Sequence, residues 1–124
     1  MPLTQRDLAN INIADSEIDL LIQVGNAGIG SSKVKVNGKI IKDSDGNDRI
    51  FKDTFSVDIG QADKVKKVEV ETKISPNPAI SDKSMILSYD LTNVTFFTGK
   101  ARTLKIPASS GLKSETFFVT VTLF

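Results

Sequence analysis

The chain has 124 residues, with 16 lysines and arginines against 15 aspartates and glutamates. A monomer of this length buries about two-thirds of its unfolded surface, so residues 1–124 are read as a single domain with one core. His, Cys and Trp are absent, which removes the ordinary ligands of zinc, haem and iron–sulfur clusters, disulfides, and the bases of Ser-His-Asp and Cys-His catalysis.

In chain order, Thr4–Asn10 is compatible with one short helix capped by Thr4, and residues 1–16 with an arm or that helix. Beyond it, alternation with a period of two dominates. From Glu17 to Val24, Ile18, Leu20, Ile22 and Val24 share a face. Gly25-Asn26-Ala27-Gly28-Ile29-Gly30 breaks the pattern. From Lys33 to Lys42, Val34, Val36 and Ile40 oppose Lys33, Lys35, Lys39 and Ile41. Asn37-Gly38 marks either a hairpin turn or a bulge, and the bulge is favoured if Lys33–Lys42 is one strand.

Asp43-Ser44-Asp45-Gly46-Asn47-Asp48 is a turn. Arg49–Ile59 puts Phe51, Phe55, Val57 and Ile59 on one face. Val65–Ile74 is the cleanest strand, with Val68, Val70, Thr72 and Ile74 inward and Lys67, Glu69, Glu71 and Lys73 outward. Ser75-Pro76-Asn77-Pro78 ends it. Met85, Leu87, Tyr89 and Leu91 define the next strand. Val94–Thr98 and Lys100–Ile106 form a tight pair or one strand bent at Gly99, and Pro107–Gly111 is loop. In Glu115–Phe124, Phe117, Val119, Val121 and Leu123 alternate with Phe118, Thr120, Thr122 and Phe124.

Seven or eight short strands predict an all-β fold, an antiparallel β-sandwich of immunoglobulin-like or jelly-roll-like shape with at most one short N-terminal helix. No Cys…Trp…Cys pattern supports the immunoglobulin label beyond shape. An outer-membrane barrel is set aside, because too few strands reach spanning length and no Trp/Tyr girdle exists.

Net charge is +1, with no global pull toward nucleic acid or membrane. Its distribution is uneven. Lys33, Lys35, Lys39 and Lys42 follow one another without an acid, as do Lys100, Arg102, Lys105 and Lys113. These read as solvated strand faces, and as a polyanion surface only if they share one face.

The stretch G-N-A-G-I-G-S-S-K from Gly25 to Lys33 resembles a phosphate loop only superficially. Ser31 stands where the P-loop needs Lys, and a strand pattern follows where it needs a helix. Asp43, Asp45, Asn47 and Asp48 gather oxygen ligands suited to Ca²⁺. Counted from Asp43, however, positions six and twelve of an EF-hand hold Asp48 and Thr54 instead of Gly and Glu. A looser site would need a carboxylate such as Asp82 or Asp90. Asn93-Val94-Thr95 is a glycosylation sequon, meaningful only in a secreted eukaryotic setting.

The last strand is the main anomaly. Between Thr116 and Phe124 it has neither charge nor Pro, and such a segment left on an exposed edge aggregates. It is therefore a central strand buried on both faces, or one covered by the N-terminal segment, or an interface built on Phe118, Thr120, Thr122 and Phe124.

The expectation for function is a non-enzymatic module acting through protein–protein contact or self-assembly, its partner a protein or a second copy, with no cofactor. The alternative is a Ca²⁺- or glycan-binding module using the Asp43–Asp48 turn. No signal peptide and no membrane span are visible, and the compartment stays open.

Overall fold

The computed structural model describes residues 3–26, 28–76, 85–106 and 114–124. Its strands are β1 (Leu3–Ile11), β2 (Glu17–Asn26), β3 (Gly28–Val36), β4 (Lys39–Ile40), β5 (Phe51–Lys52) and β6 (Phe55–Gln61). After one 3₁₀ turn at Ala62–Lys64 come β7 (Lys67–Pro76), β8 (Met85–Leu91), β9 (Val94–Phe96), β10 (Thr103–Ile106) and β11 (Glu115–Leu123). They form two sheets packed face to face. Sheet A runs β4-β3-β7-β11-β1-β9, with β5 also pairing β3, and sheet B runs β10-β8-β2-β6.

The all-β sandwich is as expected, but it has eleven described strands where seven or eight are predicted. The excess comes from breaks within two predicted strands and from β1, which stands where a helix is predicted. Asn37 (φ 54°) and Gly38 (φ 83°) make a two-residue hairpin turn between β3 and β4, the geometry that Asn-Gly favours, so the bulge reading is corrected. The Asn37 side chain secures the turn, accepting from Lys66 and Lys67 N–H and donating to the Lys64 carbonyl. Asp53 (φ 53°) breaks Arg49–Ile59 into β5 in sheet A and β6 in sheet B. Phe51 and Phe55 stack across that corner with ring centroids 4.3 Å apart. Val94–Phe96 and Thr103–Ile106 also fall in different sheets, neither a pair nor one bent strand.

The predicted N-terminal helix is a strand. Leu3, Gln5, Asp7, Ala9 and Ile11 alternate inward along β1, which runs parallel to β11 and antiparallel to β9. Among the described strands, β1–β11 is parallel and the other pairs are antiparallel, and this pair supplies partners that β1 backbone groups need.

Between the sheets lie Val34, Val68, Val70, Ile74, Phe117, Val119, Val121 and Leu123 from sheet A. Facing them are Ile18, Leu20, Ile22, Met85, Leu87, Tyr89 and Leu91 from sheet B. Each fully buried aliphatic of this size contributes about 1.5–3 kcal/mol. The polar members of the interior are matched: the Ser32 and Thr72 hydroxyls lie 2.7 Å apart, and no buried side-chain N or O among the described residues lacks a partner. No helix among the described residues is long and apolar enough to cross a membrane.

Candidate contact face

Strand β11 is central in sheet A, between β7 and β1. Its inner residues are core, while Phe118, Thr120, Thr122 and Phe124 point out of the sandwich. Phe118 is 38% exposed and Phe124 62%. Burial of β11 on both faces is therefore corrected. The first strand covers the edge of β11 by pairing with it and leaves its outer face open. The reason is topological: sheet B packs on one side of sheet A, and no described element packs on the other.

Register extends this face across the sheet in rows. One row reads Lys33, Glu71, Phe118 and Thr4. The next is Lys35, Glu69, Thr120 and Arg6. The third joins Lys67, Thr122 and Leu8, where Phe97 N–H donates to the Leu8 carbonyl. Residues directly opposite on neighbouring strands share a face, which is why each row is continuous.

Two apolar members of this face are missed by sequence reasoning. Leu8 is 46% exposed and Phe97 51%, and the Phe97 and Phe124 rings lie 5.6 Å apart at 31°. Leu8, Phe97, Thr120 and Thr122 line an open groove of about 340 Å³ whose rim carries Arg6 and Lys100. Lys100 is not free: its Nζ lies 3.3 Å from Asp7 Oδ1 and donates to the Arg6 carbonyl at 3.0 Å. The Thr95-Phe96-Phe97-Thr98 run was the available signal for Phe97, but only pairing places it beside Leu8.

The two basic stretches do not gather on one face, because the second is divided, with Lys100 at the rim of the sheet A groove and Lys105 on sheet B. Lys33 and Lys35 lie on the outer side of sheet A, whereas Lys105 pairs with Ile86 on the outer side of sheet B. Lys113 lies outside the described residues.

In the Asp43–Asp48 turn, Asp43 Oδ1 accepts from Asp45 N–H at 2.9 Å and Asn47 N–H at 3.0 Å. Asp48 is held by Lys42 at 2.6 Å and Lys33 at 3.7 Å, and the Lys42 ammonium keeps its carboxyl below the usual carboxylate range. These two acids thus close and anchor the turn, and Asp45 and Asn47 complete it. Asp90 lies on sheet B, where its Oδ1 accepts from Leu91 N–H, and Asp82 is outside the described residues. Among the described residues no group of three or more Asp or Glu stands where it could hold a metal ion.

Gly25–Lys33 is a crossing from sheet B to sheet A, and Gly30 N–H donates to Asp53 Oδ1 at 2.9 Å. The sequon residue Asn93 uses its amide structurally, accepting from Ile13 N–H and donating to the Ile13 and Ser16 carbonyls. Comparison with protein-family models finds no match, and comparisons with the curated proteins and with the solved structures find none either.

Proposed function

We propose that this chain is a non-catalytic β-sandwich module that works by protein–protein contact through the outer face of sheet A. The observation that carries the reading is the continuous Phe118, Thr120, Thr122, Phe124 row on a central strand, extended by Leu8 and Phe97. Exposed apolar side chains are ordinary when scattered; a contiguous set rimmed by polar groups marks an interaction surface. Aromatics at the centre with Arg at hand match the composition of interface hot spots. Covering four such half-exposed side chains is worth about 1 kcal/mol each, enough for a weak contact once association costs are met. With neither His nor Cys in the chain, general acid–base and nucleophilic chemistry would fall to carboxylates, Lys, Ser, Thr or Tyr89. Tyr89 is committed to Asp7 in the core.

Static light scattering across concentration tests the reading. The expected result is an apparent mass that rises with concentration for the native sequence. Phe124→Asp should stay at monomer mass with higher solubility. A native protein that remains monomeric at high concentration, with solubility unchanged in Phe124→Asp, overturns it.

A further inference from the structure

We infer that the partner of this face is the outer face of sheet B on a second copy of the chain, so that copies stack front to back. The inference rests on the reading of sheet A as a contact face and names what sits on it. Its ground is charge. Along the strands of sheet A, the outer face carries Arg6, Lys33, Lys35, Lys52, Lys67 and Lys73 against Glu69 and Glu71. Along the strands of sheet B, the outer face carries Glu17, Asp19, Asp58 and Asp90 against Lys105. Two sheet A faces laid together oppose cation to cation, and two sheet B faces oppose acid to acid. Only the unlike pairing is attractive, and the like pairings are rejected by the same charges.

The acids of this face stand close together. Asp19 and Asp58 are directly opposite on β2 and β6, and Glu17 is beside them. A cationic surface relieves this repulsion. Leu21 and Ile86, both partly exposed on that face, provide apolar area for the Phe row to meet. Sheet B sets the size of the contact. Four strands about 4.8 Å apart, three of seven to ten residues and one of four, at about 3.3 Å per residue give a footprint of about 440 Å². The pair then buries on the order of 1,000 Å² over both partners, the lower bound of specific interfaces, so association is weak and salt-sensitive. Because the two faces differ, the contact is heterologous and leaves one free face at each end, which allows a stack to grow.

Sedimentation velocity on three proteins decides it: the native chain, Phe124→Asp, and the double variant Glu17→Lys with Asp19→Lys. The double variant removes like-charge repulsion, and circular dichroism confirms that each variant is folded. The native chain should associate, about tenfold more weakly at 0.5 M than at 0.05 M salt. Each variant alone should be monomeric. An equimolar mixture of the two should form a one-to-one pair that grows no further, because each supplies the face the other lacks. If the double variant associates as the native chain does, or the mixture stays monomeric, front-to-back stacking is overturned while the sheet A contact face stands. If the native chain never associates, both fail.

Discussion

Tyr89 donates its hydroxyl to the Asp7 carboxylate across the interior of the sandwich, joining β8 of sheet B to β1 of sheet A. Both residues are buried, Asp7 at 6% and Tyr89 at 3% exposure. Gln5 Nε2 donates to the same hydroxyl at 2.7 Å, and Lys100 balances the carboxylate from the rim. A buried charge is tolerable only when it is paired and hydrogen-bonded, and this one has both kinds of partner.

Burial first, and then the Asp7 carboxylate beside it, pushes the Tyr89 phenol well above its ordinary value. A group whose pKa is raised on folding contributes stability below its unfolded pKa, about 10 for a phenol, and loses it as pH rises through the folded value. The chain has one Tyr, so phenolate absorbance at 295 nm reports on it alone. No ionisation is expected at pH 10, where an exposed phenol is half ionised, and the absorbance should rise only with unfolding at higher pH. A titration midpoint at 10 in the folded protein contradicts this. Tyr89→Phe should cost about 2 kcal/mol, the loss of a hydrogen bond to a buried charged group.

Gly30 lies where β2 and β3 approach each other at the crossing between sheets. A Cβ added there comes within 2.9 Å of Val24 Cγ2, closer than such atoms tolerate. Gly30→Ala should therefore destabilise by about 1–2 kcal/mol, the overpacking cost less the entropy that Ala removes from the unfolded chain. In a Val24→Ala background the clash has no partner, so the same substitution should cost much less. Urea denaturation of the four proteins in this cycle measures the coupling, and additive effects would show the contact to be absent.

Asn93 occupies the left-handed region at φ 60° and ties the β8–β9 corner to the β1–β2 connection through Ile13 and Ser16. Asn93→Ala loses those hydrogen bonds and keeps a conformation that Ala dislikes, which should cost about 2–3 kcal/mol and lower Tm by about 8–12 °C. Asn93→Gly loses the bonds alone and should be the milder variant. Equal melting temperatures for the two would remove the backbone part of this account.

The strands that are legible from the sequence are those whose inward residues are all apolar or small. Val65–Ile74 and Glu115–Phe124 alternate cleanly because sheet A packs on one side only. Leu3–Ile11 does not read as a strand because Gln5 and Asp7 occupy inward positions, and the partner that justifies them, Tyr89, is 82 residues from Asp7. The corner at Asp53 is hidden for a related reason: alternation continues through a residue that moves the chain from one sheet to the other. Of the contact face, Phe118, Thr120, Thr122 and Phe124 are legible because an uncharged strand stands out in a chain that is 25% charged. Leu8 and Phe97 join them only through strand order, which depends on pairings that no local pattern encodes.

On the acidic face of sheet B, a hydrogen bond with Asp58 and then its charge raise the Glu17 carboxyl above its ordinary value, with Asp19 adding to the repulsion and Lys64 opposing it. Because the folded value is the higher one, this pair favours the folded state below the unfolded pKa of about 4.3, and that contribution is lost as pH rises through the folded value. At neutral pH the two carboxylates repel in the folded protein. Glu17→Gln keeps a hydrogen-bonding side chain and removes one charge, so its Tm should exceed that of the native chain at pH 7 and equal it at pH 3.5. Thermal melts at the two pH values check the sign, and a variant less stable at pH 7 would show that the pair attracts. The same substitution removes one acid from the surface proposed to meet sheet A of a second copy. It should therefore weaken association at pH 7 while raising stability, two effects in opposite directions from one side chain.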